Sequence, residues 1–279
     1  MGVRKKSRDL ATPPDSFVYL GRNDGLGNRL EEIIVLSALA TKYGCEITYL
    51  FHNEGAREDR SYDILFDLQN PRVTLKVAGS SSIKLFKIRR RFDLKNCLTV
   101  KDLASLRSMV GSNDIRASAR KITPKFDFKS FPDQPIAGFH IRASDRIDPN
   151  AGPHFLKSRF ELTENIGKCL AYLKSIQDMS VMFFSDEPQL VVETQKSFSK
   201  IEHRPGVSSV AGDLVADEYR DLFALSRCSL ILLAGAPSSF CLIAAMIGGV
   251  PVAHGYLPDD FRDRYPVDYI SVDAPSDLL

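Results

Sequence analysis

The sequence predicts an α/β protein made of two Rossmann-like, doubly wound domains that face each other across a cleft. Three observations predict it. A strand–helix–strand run opens the chain over residues 16–52. Alternating strand and helix patterns recur over residues 136–254. A polar segment marked by Pro124, Pro132 and Pro135, without clear periodicity, separates the two. The expected division is a basic N-terminus at 1–15, an N-terminal α/β domain at 16–130 and a C-terminal α/β domain at 131–279. At 279 residues the chain is long enough for two cores.

In the first domain, Ser16–Leu20 reads as a short buried strand. Arg29 to Tyr43 reads as a helix whose apolar residues cover nearly every side, with charges only near its ends. Such a helix is packed inside the domain, and Gly44 is placed to stop it. Cys45–His52 is the next strand, so the run is a βαβ unit and the sheet is parallel. Beyond it the pattern weakens: Val73–Val77 reads as a strand and Val100–Val110 as a helix.

The second domain is more regular. Strands are expected at Ile136–Arg142, Val181–Asp186, Leu230–Ala234 and Val250–His254. Helices are expected at Ser158–Ser175, Pro188–Phe198, Leu214–Ser226 and Ser238–Ile247. Residues 229–253 hold no charge, but Gly235–Ser239 and Pro251 break them into pieces too short to span a bilayer.

The composition is that of an ordinary globular protein, 44% hydrophobic and 26% charged, with a net charge of +2. The charge is uneven. Residues 1–8 carry Arg4, Lys5, Lys6 and Arg8 without an acid, and residues 84–95 carry six basic groups and one acid. The remainder is acidic on balance. The two basic spots suit an anionic surface such as lipid headgroups, or are simply solvated. Five scattered cysteines without a CxxC pair read as buried free thiols in a reducing compartment. No apolar run of the secretory type follows the basic start. A cytoplasmic protein, either soluble or peripheral on the inner face of a membrane, is the expectation.

Four motifs carry the chemistry. Gly25, Gly27, Asn28 and Arg29 form a glycine-rich turn between a strand and a helix, where free N–H groups and the helix dipole favour an anion. Leu30 fills the third position of GxGxxG, which counts against a dinucleotide fingerprint. His140 and Arg142 share one face near the carboxyl end of a strand, and Asp145 follows. An arginine there can grip a diphosphate with two prongs. Asp186 ends the next strand, ahead of Pro188, where Ser185 or Asp186 could equally cap a helix. Ser238 and Ser239, followed by Phe240, open an uncharged helix after the loop GAP, as phosphate ligands or as an ST cap.

Together these residues outline a cleft for a nucleotide diphosphate, with the glycine turn facing the other three motifs from the other domain. There is no DxD clamp, no HxxxH or CxxC for zinc, no GxxxxGK[ST] and no GxSxG. Neither a metal nor a cofactor is expected, and nucleic acid is not an expected partner.

The set GLGNRL, HIRASD, FFSDEP and DLFALSRCSLILLAGAPSSFCLIAA, in that order, resembles the fucosyltransferase superfamily. This group includes α1,2- and α1,6-fucosyltransferases, protein O-fucosyltransferases and the nodulation fucosyltransferase. The resemblance covers residues 16–50 and 136–255. It implies a GT-B-like fold, GDP-fucose as donor, no metal, and inversion at the anomeric carbon. It also implies that Arg142 binds the diphosphate, His140 contacts the nucleotide and Asp186 faces the guanosine. Ser238, Ser239 and Phe240 would bind phosphate, with Asn28 and its glycines beside the diphosphate and the leaving sugar. The acceptor would be a glycan or lipid-linked glycan.

A departing diphosphate needs its growing charge stabilised, and a base must take the acceptor's proton. Asp24 is the first candidate base, Asp145 the second and Glu31 the third. An enzyme using another nucleotide sugar, or a non-catalytic nucleotide-sugar binder on the same fold, are the alternatives.

Overall fold

The computed structural model describes residues 12–22, 24–52, 64–78, 97–126, 135–143, 146–150, 152, 155–176, 179–202 and 214–272. The chain forms two compact units, Met1–Phe126 and Asp127–Leu279. The basic stretches 1–8 and 84–95, and Asp145, lie outside the described residues.

The first unit holds strands β1 (Ser16–Leu20), β2 (Glu46–His52), β4 (Val73–Ala78) and β5 (Cys97–Thr99). They pair in the order β4-β2-β1-β5, and every pair is parallel. A small antiparallel pair, β3 (Phe66–Leu68) with β6 (Ile122–Pro124), stands apart from this sheet. Helix α1 (Leu26–Tyr43) is buried along Leu26–Ala40, with Asn28 alone half-buried in that span. The nearly all-round apolar pattern therefore marks a core helix. It ends at Gly44, which adopts a left-handed φ of 72° and donates its N–H to Ala40 O.

Two sequence expectations are corrected in this unit. Helix α1 starts at Leu26, one turn earlier than Arg29, with Gly25 as its N-cap. Both glycines are tolerated there, because first-turn N–H groups need no acceptor within the helix. The stretch read as a helix over Val100–Val110 is strand β5 followed by the short helix α2 (Leu103–Ser108). The Asp102 carboxylate accepts the Thr99 N–H at 2.8 Å and turns the chain between them. The segment from 112 also begins with a helix, α3 (Ser112–Ala119), whose Asp114 carboxylate reaches back to the Gly111 N–H at 3.0 Å. Eight residues are too few for the periodicity to show.

The second unit holds five parallel strands: β7 (Ile136–Ile141), β8 (Ser180–Ser185), β9 (Leu230–Leu233), β10 (Val252–His254) and β11 (Tyr269–Ser271). Their order is β11-β10-β9-β7-β8. The helices are α4 (Arg159–Ser175), α5 (Pro188–Glu202), α6 (Leu214–Leu225), α7 (Ser239–Gly248) and α8 (Asp259–Arg264). Alternation along β7 divides its side chains. Ala137, Phe139 and Ile141 enter the core with Val181, Phe183, Leu230 and Leu232 of neighbouring strands and with Leu162, Cys169 and Leu173 of α4. His140 points to the opposite face, where its ring stacks on Phe240 of α7. A sheet clothed on both faces is doubly wound.

This connectivity positions the site. In the first unit the chain leaves β1 toward β2 and β4, then returns to β5 on the other side of β1. In the second it leaves β7 toward β8, then crosses to β9 on the other side of β7. Each sheet thus reverses winding beside its first strand, and ligands of such sheets bind past the carboxyl ends at that reversal. The glycine turn follows β1; Arg142 and the GAPSS loop follow β7 and β9.

All five cysteines are free and buried. Among the described residues, no helix is long and apolar enough to cross a membrane.

Candidate functional site

The site in the second unit is built on the end of β7. Strand pairing continues past the named strands. Ala234 donates its N–H to His140 O at 3.0 Å, and Ala236 donates to Arg142 O at 2.9 Å. The loop before Ser238 is thereby zipped alongside Arg142. Gly235 lies so close that an added Cβ would overlap the Arg142 backbone N and O. Two motifs far apart in sequence thus become one surface.

Arg142 is half-buried, with its side chain 33% exposed. Its Nε stands 3.3 Å from Asp186 Oδ2, and Asp186 Oδ1 accepts the Ala143 N–H at 3.0 Å. Asp186 therefore reaches across to the end of β7. Residue spacing could not reveal that pairing, because it depends on β8 lying beside β7. The neighbouring Ser185 Oγ accepts the Glu187 N–H at 3.0 Å, and the Glu187 carboxylate takes both terminal nitrogens of Arg159 at 2.8 and 2.9 Å. This fork ties the loop after β8 to the first turn of α4.

Helix α7 begins beside the same strand end. Ser238 is its N-cap in extended conformation, yet its side chain makes no capping hydrogen bond. The first-turn N–H groups are thus not satisfied by the serine cap that the sequence allowed. Ser239 and Phe240 are half-buried in that turn.

His140 is 6% exposed, and its ring centroid lies 6.1 Å from that of Phe240 at an interplanar angle of 24°. Burial, then the nearby Arg142 charge, push its pKa down to about 4, against a smaller opposing pull from Asp186. The imidazole is neutral at pH 7. Its buried Nδ1 has no hydrogen-bond partner among the described residues. A pH dependence follows. The unfolded chain takes up the histidine proton near pH 6.5 and the folded one only near pH 4. Stability from this site is whole above pH 6.5 and falls as the pH drops through that window, by roughly 3 kcal/mol in all. Urea unfolding between pH 7 and 4 is expected to show this slope, and His140→Gln to flatten it. An equal slope in the variant would contradict the assignment.

The site in the first unit is the glycine turn. Asp24 Oδ1 accepts the Gly25 N–H at 2.7 Å, and Oδ2 accepts the Asn28 side-chain amide at 2.6 Å. Asn28 therefore pairs with Asp24 across the first turn of α1 rather than capping it. Gly25 is exposed and Gly27 buried. Arg29 is buried at 1% exposure, so it is not displayed on the turn as the sequence suggested. Glu31 is also buried and lies 3.4 Å from Arg107 Nη1, a structural pairing that argues against its use as a base. Sequence reasoning missed Glu32 altogether. Its carboxylate is fully buried and receives four hydrogen bonds. Among the described residues, no group of three or more His, Cys, Asp or Glu is placed to hold a metal ion.

No protein-family model matches the chain, and no curated protein matches it by sequence. Solved structures do. The structure of NodZ α-1,6-fucosyltransferase soaked with GDP-fucose matches with a TM-score of 0.54 at 15% identity, over 85% of this chain and 93% of that one. A fucosyltransferase NodZ structure from Bradyrhizobium gives a TM-score of 0.53 over 85% and 94%. A variant of Arabidopsis thaliana FUT1 in complex with GDP gives 0.51 at 11% identity, over 87% and 71%. The chain has the fold of these fucosyltransferases. The two-unit α/β architecture is thus GT-B-like, and the likeness spans nearly the full length of NodZ.

Proposed function

We propose that the chain is a glycosyltransferase that moves fucose from GDP-fucose to a glycan acceptor, with inversion and without a metal. The observation that carries the reading is the joining of Arg142 and the uncapped N-terminus of α7 at the winding reversal of the second sheet. The likeness to proteins solved with GDP-fucose or GDP supports the choice of donor.

In this reading the bond between the sugar's anomeric carbon and the β-phosphate oxygen breaks as the acceptor hydroxyl attacks from the opposite face. Negative charge builds on the departing diphosphate. Arg142 receives it through its fork, and the first-turn N–H groups of α7 with the Ser238 and Ser239 hydroxyls receive the rest. That positive charge does the work that a bound cation would otherwise do. His140, neutral and stacked on Phe240, offers Nδ1 to the nucleotide and adds no charge. The base that takes the acceptor's proton is proposed among Asp24 and Asp145.

GDP release from GDP-fucose, with a panel of glycan acceptors and EDTA present, tests the reading. Acceptor-dependent release is expected. Asp24→Asn is expected to lower the rate by about 100- to 10,000-fold, the usual contribution of a positioned base, while GDP affinity is retained. Full activity in that variant would move the base to Asp145. Absence of release with every acceptor, from a protein that binds GDP, would favour the non-catalytic alternative.

A further inference from the structure

We infer that Glu32 is the positioning residue of the glycine-rich turn; its part in transfer rests on the function proposed above. Glu32 lies in the second turn of α1 with its side chain fully buried. Oε1 accepts the Tyr19 hydroxyl at 3.2 Å and Arg22 Nε at 2.8 Å. Oε2 accepts the Tyr49 hydroxyl at 2.8 Å and the backbone N–H of Arg22 at 3.1 Å. One carboxylate thus joins β1, β2 and the turn that leaves β1.

Each contact has a local cause. Tyr19 and Tyr49 are register partners in adjacent parallel strands, so they share a face, and their rings stack at 5.8 Å. Burial, then the Glu32 charge, hold both hydroxyls above their ordinary pKa, so both remain donors. The Tyr49 hydroxyl also fills the space that a Cβ on Gly21 would need, and the Gly21 N–H is bound to Leu50 O at 3.1 Å. The turn is therefore pinned at Gly21 and at Arg22.

A buried carboxylate needs its charge and lone pairs met, and here both oxygens meet donors alone. The order continues outward. Arg22 Nη1 stands 4.0 Å from Asp24 Oδ2, the oxygen that holds the Asn28 amide. Charge alternates from Glu32 through Arg22 to Asp24, and Asp24 and Asn28 are held at the exposed end.

Glu32→Gln keeps the shape but puts an amide NH2 against two donors, whichever way it turns. Amide exchange of that variant is the test, with Arg22→Met as a second variant that removes the guanidinium, both its Nε contact with Glu32 and its Nη1 approach to Asp24, and keeps the backbone N–H contact. Leu106→Ala, a core truncation in helix α2 of the same unit, supplies destabilisation from another element. The expected result is faster exchange, about tenfold or more, confined to the amides of residues 22–28 in both turn variants and absent from Leu106→Ala. GDP release from GDP-fucose is expected to fall by about 100-fold in Glu32→Gln with KM for the donor nearly unchanged. Exchange spread evenly over β1, β2 and α1, with release unchanged, would overturn the inference and leave Glu32 a core stabiliser. Localised exchange in a protein whose parent turns over no GDP-fucose would count against the proposed function and leave the positioning of the turn standing.

Discussion

Replacing Arg142 by alanine is expected to weaken GDP binding by about 100- to 1,000-fold, or about 3–4 kcal/mol. A two-pronged, charge-assisted grip accounts for that size. A second effect adds to it. Asp186 keeps the Ala143 N–H but loses the Arg142 cation beside its other oxygen, so its negative charge is less well compensated next to an arriving diphosphate. Arg142→Lys is expected to fall between parent and alanine variant, because it keeps the charge and loses the fork. The unfolding midpoint should move by only a few degrees, since a partly exposed pair contributes little stability. Titration calorimetry with GDP separates the cases. Parent-like affinity in Arg142→Ala would remove the arginine from the site.

The second large effect is expected from one methyl group. Gly235→Ala places a Cβ on the backbone N and O of Arg142, and backbone atoms cannot swing aside as a side chain can. The loop must separate from β7, which stretches the Ala234–His140 and Ala236–Arg142 hydrogen bonds. Overpacking of this kind costs about 1–3 kcal/mol. The functional loss should be larger, because the same shift carries Ser238 and the start of α7 away from Arg142. We expect GDP affinity to drop by about 100-fold, close to the effect of deleting the arginine, since small misplacements carry costs of that order. Gly167→Ala is the control. It lies in α4 with nothing within 4 Å of the added carbon, and should be neutral or slightly stabilising. If Gly235→Ala bound GDP like the parent, the zipped loop would be no part of the site.

The fold was legible where burial is continuous. The uncharged stretch around α7 and the apolar α1 announce themselves, because a core element needs no polar face. The alternation of strands and helices over 136–254 then yields the parallel sheet and its carboxyl-end motifs. Short elements escaped. Strands β3 and β6 have three residues each, and α3 has eight, too few for any period to register.

The candidate site was legible as residue types on strand ends, but its pairings were not. Asp186 reads equally well as a cap or as a ligand; its contact with Arg142 and Ala143 exists only because β8 lies beside β7. Arg29 reads as the first residue of the helix; the start one turn earlier places it inside the helix, where it is buried. Glu32 was hidden for the same reason. A glutamate near a helix end ordinarily faces solvent, and only the register of Tyr19 with Tyr49 supplies donors that make its burial tolerable.

Calorimetric titration of the parent protein with GDP, UDP, ADP and CMP, with EDTA present, probes the nucleotide site itself. GDP is expected to bind without a metal, far more tightly than the other three. Equal or tighter binding of UDP, ADP or CMP would contradict GDP-fucose as the donor. No binding of any nucleotide would contradict the site itself.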